Sequence, residues 1–181
     1  IVGSWVDSAD EAMAIFEQSV RLNPDLASCS WVWSGLAELK SERGDNGLQQ
    51  ALELYINAQE AETFEEITKL LENSTEVAPE FPWSRNDLAW VLATTEEESR
   101  RDGERAVVMA MEVCERDQWH YHGFMDTLAA AYGEVGNYDK AVELMGNAIE
   151  KSPQAFHAGY EDKLQSYKRG ESLVAGASET A

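Results

Sequence analysis

The stretch that decides the fold is 125–153, MDTLAAAYGEVGNYDKAVELMGNAIEKSP. Two apolar patterns of helical spacing stand on either side of Gly136-Asn137. The first carries Met125, the pair Leu128-Ala129 and Tyr132; the second carries Ala141, Met145 and Ala148 and closes on Pro153. Apolar residues three and four apart share one face of a helix. Small residues at fixed points let two helices approach closely, and the large residue one turn away fills the space between them. Glycine and proline at the joints end and start helices for steric reasons. The stretch therefore predicts a hairpin of two antiparallel helices.

The same rules recur outward from it. The spacing of four, three and five residues in Ala141, Met145, Ala148 and Pro153 is repeated by Ala12, Phe16, Ser19 and Pro24. It returns at Ala51, Tyr55 and Ala58, and more loosely at Ala106, Ala110 and Val113. The first-helix pattern reappears as Trp33 with Leu36-Ala37, and as Leu88-Ala89 with Leu92. A repeated packing rule implies repeated helix pairs. Helices are expected over 8–22, 28–43, 47–59, 63–77, 84–95, 102–117, 121–135, 138–151 and 155–169. Asn23-Pro24, the run from Gly44 to Gly47, Pro79 to Pro82, Arg101 to Gly103, Gly136-Asn137 and Ser152-Pro153 separate them. Strand alternation is nowhere sustained, so the predicted fold is all-α with about nine helices.

The segment 122–153 resembles the tetratricopeptide repeat (TPR) family, whose pattern is W-x2-L-G-x2-Y…A-x3-F…P. Met125, Ala129 and Met145 depart from it by small or apolar substitutions. Together with Asn86-Asp87-Leu88-Ala89-Trp90, the run Asp126-Thr127-Leu128-Ala129 is similar to TPR arrays of large bacterial proteins. The resemblance covers 8–169, strongly at 122–153 and weakly at 47–80. It implies a right-handed α-solenoid of stacked antiparallel helix hairpins, with the first helix of each pair lining an inner groove. The expected organisation is a single TPR-like helical repeat domain over 1–169. It comprises a half repeat at 8–22, a repeat at 28–59, an extra helix at 63–77, repeats at 84–117 and 121–153, and a capping helix at 155–169. A flexible tail, 170–181, follows.

The repeat is uneven. Ala106 to Ala141 spans 35 residues, near one TPR period, but Leu88 to Leu128 spans 40, which places an insertion in the loop 94–103. Ala51 to Ala106 spans 55, which is why 63–77 reads as an extra helix. Helix 47–59 pairs with either 28–43 or 63–77; the first is favoured, because Tyr55 sits badly where the second needs a small residue. In the cap, Phe156, Tyr160, Leu164 and Tyr167 form the apolar stripe, with Glu161, Asp162, Lys163 and Lys168 facing elsewhere. Helix 8–22 reads as the second half of a pair, its first half missing or reduced to 1–6.

Fourteen Lys and Arg against 34 Asp and Glu give a formal charge of -20. That balance argues against general nucleic-acid binding, which needs clustered basic residues, and against docking to anionic membranes. No apolar run approaches the ~18 residues of a membrane span, and the N-terminus lacks the pattern of a signal peptide. The compartment is not fixed by these features; a cytoplasmic one is slightly favoured. Cys29 and Cys114 are too few for a disulfide framework. No phosphate loop, nucleophile elbow or zinc-protease motif occurs. His120 and His122, with Cys114 and Asp117 nearby, form the one candidate metal cluster, but the segment reads better as the start of a helix. No enzyme activity, metal or cofactor is expected.

By the resemblance, the groove would be lined by Trp31, Ser34 and Glu38 from one first helix, by Trp83, Asn86 and Trp90 from the next, and by Asp126 and Glu134 from the last. Each tryptophan has a competing place in the core. None of these positions is Lys or Arg, so the basic clamp that some TPR domains close on a C-terminal carboxylate is missing. Acids beside aromatic platforms suit a cationic, partly apolar segment, with Asn86 bonding its backbone. The expected function is a non-catalytic protein–protein interaction module, a scaffold or adaptor for a protein or peptide partner. The alternative is a regulatory or sensor segment of a larger enzyme or signalling protein. The oligomeric state stays open.

Overall fold

The computed structural model describes residues 18, 30–42 and 44–174. Among them are eight α-helices and no strand. They are α1 (Ser30–Ser41), α2 (Gly47–Glu60), α3 (Phe64–Val77), α4 (Pro82–Thr94), α5 (Gly103–Arg116), α6 (His122–Glu134), α7 (Tyr138–Lys151) and α8 (His157–Lys168). The chain is all-α, as its periodicity predicts. The expected helix 8–22 lies outside the described residues except for Gln18, which is helical. No helix among the described residues is long and apolar enough to cross a membrane. The chain divides into two compact units, Ile1–Phe81 and Pro82–Ala181, a division that the expectation of one array over 1–169 did not contain.

Local chemistry sets the helix ends. The hydroxyl of Thr63 accepts the Glu66 N–H at 3.3 Å, the Asp102 carboxylate accepts that of Arg105 at 3.0 Å, and the Asn137 side chain accepts that of Lys140 at 3.4 Å. Each satisfies a donor that the first turn leaves without an intrahelical partner. Pro82 opens α4, where its missing N–H costs nothing. Gly136 closes α6 at φ +74°, and the next N–H, of Asn137, reaches back to the Tyr132 carbonyl at 2.8 Å. That left-handed residue is what turns the chain from α6 into α7.

In the Ile1–Phe81 unit, α2 packs against both α1 and α3, and more extensively against α3. The choice between two partners therefore does not arise. Ala51 and Ala58 are buried, and the Ser74 hydroxyl donates to the Ala51 carbonyl at 2.7 Å, which locks α3 onto α2. Tyr55, counted against this pairing, turns instead to Phe81, ring edge to face at 5.4 Å. Trp33 meets the same Phe81 ring at 5.4 Å, so Trp33, Leu36 and Ala37 pack between helices as expected.

In the Pro82–Ala181 unit, α4 packs on α5 and on α6, α6 on α5 and α7, and α7 on α8. First helices α4 and α6 touch directly, which is how consecutive hairpins stack. The seams are the small residues of the repeated pattern. Ala89, Ala106, Ala110, Ala129, Ala141 and Ala148 are all fully buried, with Leu88, Leu128 and Met145 beside them. The loop with the insertion carries a short 3-10 turn, Glu98–Arg100. Ala141→Trp should cost about 1–3 kcal/mol by overpacking, while exposed Glu143→Gln should stay within about 0.5 kcal/mol. Denaturant melts of the two variants that shift equally would overturn the small-residue seam.

The capping helix needs one correction. Tyr160 and Tyr167 are buried, but Phe156 is exposed and Lys163 does not face away. Tyr160, Lys163 and Tyr167 form one stripe along α8, and it meets His122, Asp126 and Gly133 of α6. A lysine can lie on such a stripe because its methylene stem packs while its ammonium finds a polar partner.

Candidate functional site

Trp83, Asn86 and Trp90 recur at three and four residues, so α4 presents them on one face. Ser84 and Leu88, between them in sequence, are buried against the helix's neighbours. Asn86 and Asp126 hold equivalent places, each two residues ahead of the packing pair of its helix, Leu88-Ala89 or Leu128-Ala129. Both residues are buried, at 7% and 9% exposure. Asn86 donates its amide to Asp87 at 3.1 Å, and Asp126 pairs with the Lys163 ammonium at 2.6 Å. Yet Asn86 Oδ1 and Asp126 Oδ1 each lack a hydrogen-bond partner within the protein. Buried acceptors are ordinarily paired, and an unpaired one costs about 1–3 kcal/mol.

Lys163 completes the arrangement. Its ammonium lies 4.6 Å from the centre of the half-buried Trp90 ring and 5.6 Å from that of Tyr160. The chain's own lysine thus sits where a carboxylate and an aromatic face receive a cation. An aromatic cluster continues from this point. The His122 ring shares a 2.7 Å hydrogen bond with the Tyr160 hydroxyl, and Tyr121 packs on His122, Trp83 and Phe124 with ring centres 4.8–5.5 Å apart. His120 bonds instead to the Asp117 carbonyl at 2.7 Å, so the two imidazoles are engaged separately. Among the described residues no group of three or more His, Cys, Asp or Glu is disposed to hold a metal. Cys114 is fully buried, and burial pushes its thiol up to about 12.

The residues expected from sequence along a groove do not all lie near one another. Trp90 and Asp126 meet through Lys163, whereas Trp83 packs on Tyr121 and Phe124 and Asn86 bonds to Asp87. Glu134 does not join them: it pairs with Arg101 at 2.9 Å and thereby anchors the loop after α4, since Arg101 also bonds the Thr95 carbonyl. Ser34 and Glu38 are exposed on α1, in the other unit, and the Trp31 side chain lies outside the described residues. His122, Tyr160 and Lys163 have other expected places from sequence: in a candidate metal cluster, in the apolar stripe of the cap and on its outer face. For Tyr160 and Lys163 the signal was the stripe of α8, whose lysine falls between two tyrosines.

Burial raises the Asp126 carboxyl above the ordinary carboxylate range, even though Lys163 and His122 oppose the shift. A carboxyl with a raised folded pKa holds its proton more firmly in the folded than in the unfolded state. Its favourable contribution is then full below about pH 3.9, the ordinary Asp value, and is lost as pH rises through the folded pKa. Asp126→Asn should match the parent's melting temperature in acid and equal or exceed it at neutral pH. A large loss at neutral pH in thermal melts would show that the Lys163 pair outweighs desolvation.

No family model and no curated protein matches the sequence. Among solved structures, the chain is similar to a thermophilic TPR protein of Thermus thermophilus. The match has 17% identity and a TM-score of 0.47 and covers 87% of this chain and 91% of that one. A likeness at this level is silent on ligand and activity.

Proposed function

We propose that this protein is a non-catalytic, TPR-like interaction module that holds an extended peptide segment of a partner across α4 and α6. The observation that carries this reading is the pair of buried, unpaired acceptors, Asn86 Oδ1 and Asp126 Oδ1, at equivalent places on two stacked helices. A peptide backbone offers N–H donors at regular intervals; both oxygens are buried, so two such donors would satisfy them only as the side chains over them move aside. The Trp90 face beside them supplies an apolar platform, and the Lys163 ammonium lying on that face supports a basic side chain as its occupant.

A panel of short peptides, each with one lysine or arginine and one large apolar residue, should contain saturable binders when titrated against the intact protein. Asn86→Leu removes the Asn86 acceptor and leaves an apolar group of similar size. It should keep or raise the melting temperature and abolish peptide binding. Undiminished binding by a folded Asn86→Leu variant would remove Asn86 from the site, and a panel with no binder would overturn the reading.

A further inference from the structure

A second concavity, of about 460 Å³, lies between α5, α6 and α7, and its residues are distinct from the Asn86–Asp126 site. Its volume falls in the range typical of small-molecule pockets. Its apolar lining comes from Met111, Met125, Leu128 and Leu144, and two flexible thioethers among them allow the wall to adapt. Along α7, Lys140, Leu144, Asn147 and Lys151 recur at four, three and four residues and so form one stripe. The lysines stand about 16 Å apart along the axis at ~1.5 Å rise per residue. An elongated apolar trough thus has a cation at each end, with Glu143 on its rim.

Each end also has an aromatic wall. Trp119 stands in the lining that includes Lys151, held by a backbone with two successive left-handed residues, Gln118 at φ 54° and Trp119 at φ 62°. Asp117 stabilises that turn by accepting the N–H groups of His120 and Tyr121 at 3.0 and 2.6 Å. At the other end the Lys140 ammonium donates to the Tyr132 hydroxyl at 3.2 Å and lies 4.6 Å from the centre of its ring. That hydroxyl accepts from Lys140 and keeps its own proton to donate. Neither lysine takes part in the ion pairs that engage Arg85, Arg100, Arg101, Arg116, Lys163 and Arg169. The Lys151 charge is partly offset by the nearby Asp117, so the anion preference of the trough rests chiefly on Lys140.

We infer that this trough binds a linear aliphatic monocarboxylate, with its head on Lys140 and Tyr132 and its chain over Leu128, Met125 and Leu144 toward Trp119. An ammonium and a hydroxyl side by side match the two oxygens of one carboxylate, whereas the Lys151 end offers a single charged donor. The inference does not rest on the peptide reading, since it uses other residues and another ligand class.

Dodecanoate, kept below its micelle concentration, is titrated calorimetrically against the intact protein. One saturable site is expected, with dodecyltrimethylammonium, of equal chain length and opposite charge, binding far more weakly. Lys140→Met should weaken dodecanoate about tenfold or more. Met111→Trp, which fills the trough from α5, should abolish binding. Lys140→Met lies on the exposed surface and keeps the test decisive if Met111→Trp fails to fold. Absent saturation, equal binding of the cationic amphiphile, or an unchanged affinity in Lys140→Met would each overturn the inference.

Discussion

Phe124→Ala should destabilise the Pro82–Ala181 unit by about 3–5 kcal/mol, the largest loss expected from any single change considered. The Phe124 side chain is 1% exposed, and its ring centre lies 5.2 Å from that of Trp83 and 5.0 Å from that of Tyr121. It therefore stands where the first turn of α6 meets α4, and truncation leaves a cavity lined by rigid rings that cannot collapse into it. Loss of two edge or tilted ring contacts adds to the transfer term. Urea unfolding should show a lower midpoint with an unchanged slope, the mark of lost stability without a change of mechanism. Val108→Ala, on an exposed position of α5, is the matching control and should stay within about 0.5 kcal/mol. A Phe124→Ala loss no larger than that of Val108→Ala would mean that the α4–α6 junction is not packed as described.

The signals that place the helices are local, and for that reason they could be read without a structure. The predicted helix 138–151 coincides with α7 because Asn137 caps one end and Ser152-Pro153 breaks the other. Among the described residues the other helix ends moved by two residues at most, as at α4, where the proline itself begins the helix. What a helix packs against is decided elsewhere in the chain. Tyr55 argued against α3 only until Phe81 supplied a place for its ring. The candidate site divides along the same line. Trp83, Asn86, Trp90 and Asp126 were implied by the family resemblance, carried onto two first helices by their distance from a packing pair. Lys163 and Arg101 arrive from distant segments and neutralise Asp126 and Glu134. A lysine in a sequence reads as a solvated charge, and only the geometry of α8 shows its stem lying on the face that holds Tyr160 and Tyr167. The left-handed pair Gln118 and Trp119 left no trace either, because neither residue is a glycine.

Trp90→Ala should cost the proposed peptide complex about 2 kcal/mol or more, which is close to a 30-fold rise in Kd, while lowering stability much less than Phe124→Ala. Aromatic anchors dominate binding when they offer a large rigid surface beside satisfied polar groups. Trp90 meets that description: its ring is half-buried, one face lies near the Lys163 ammonium, and Asp126 pairs with the same cation. Within the free protein the change forfeits a cation–π contact of about 0.5–1 kcal/mol and part of the ring's burial. Melting temperature and peptide affinity measured on one sample separate the two roles. A loss of stability as large as that of Phe124→Ala would place Trp90 in the core, and an equally stable variant with full affinity would remove it from the groove. Lys163→Met gives the opposite sign. By vacating the Trp90 face and leaving Asp126 without its partner, it should tighten the binding of a lysine-bearing peptide relative to one whose lysine is replaced by methionine. If instead both peptides weaken equally, Lys163 positions the groove and does not occupy the seat of a partner's cation.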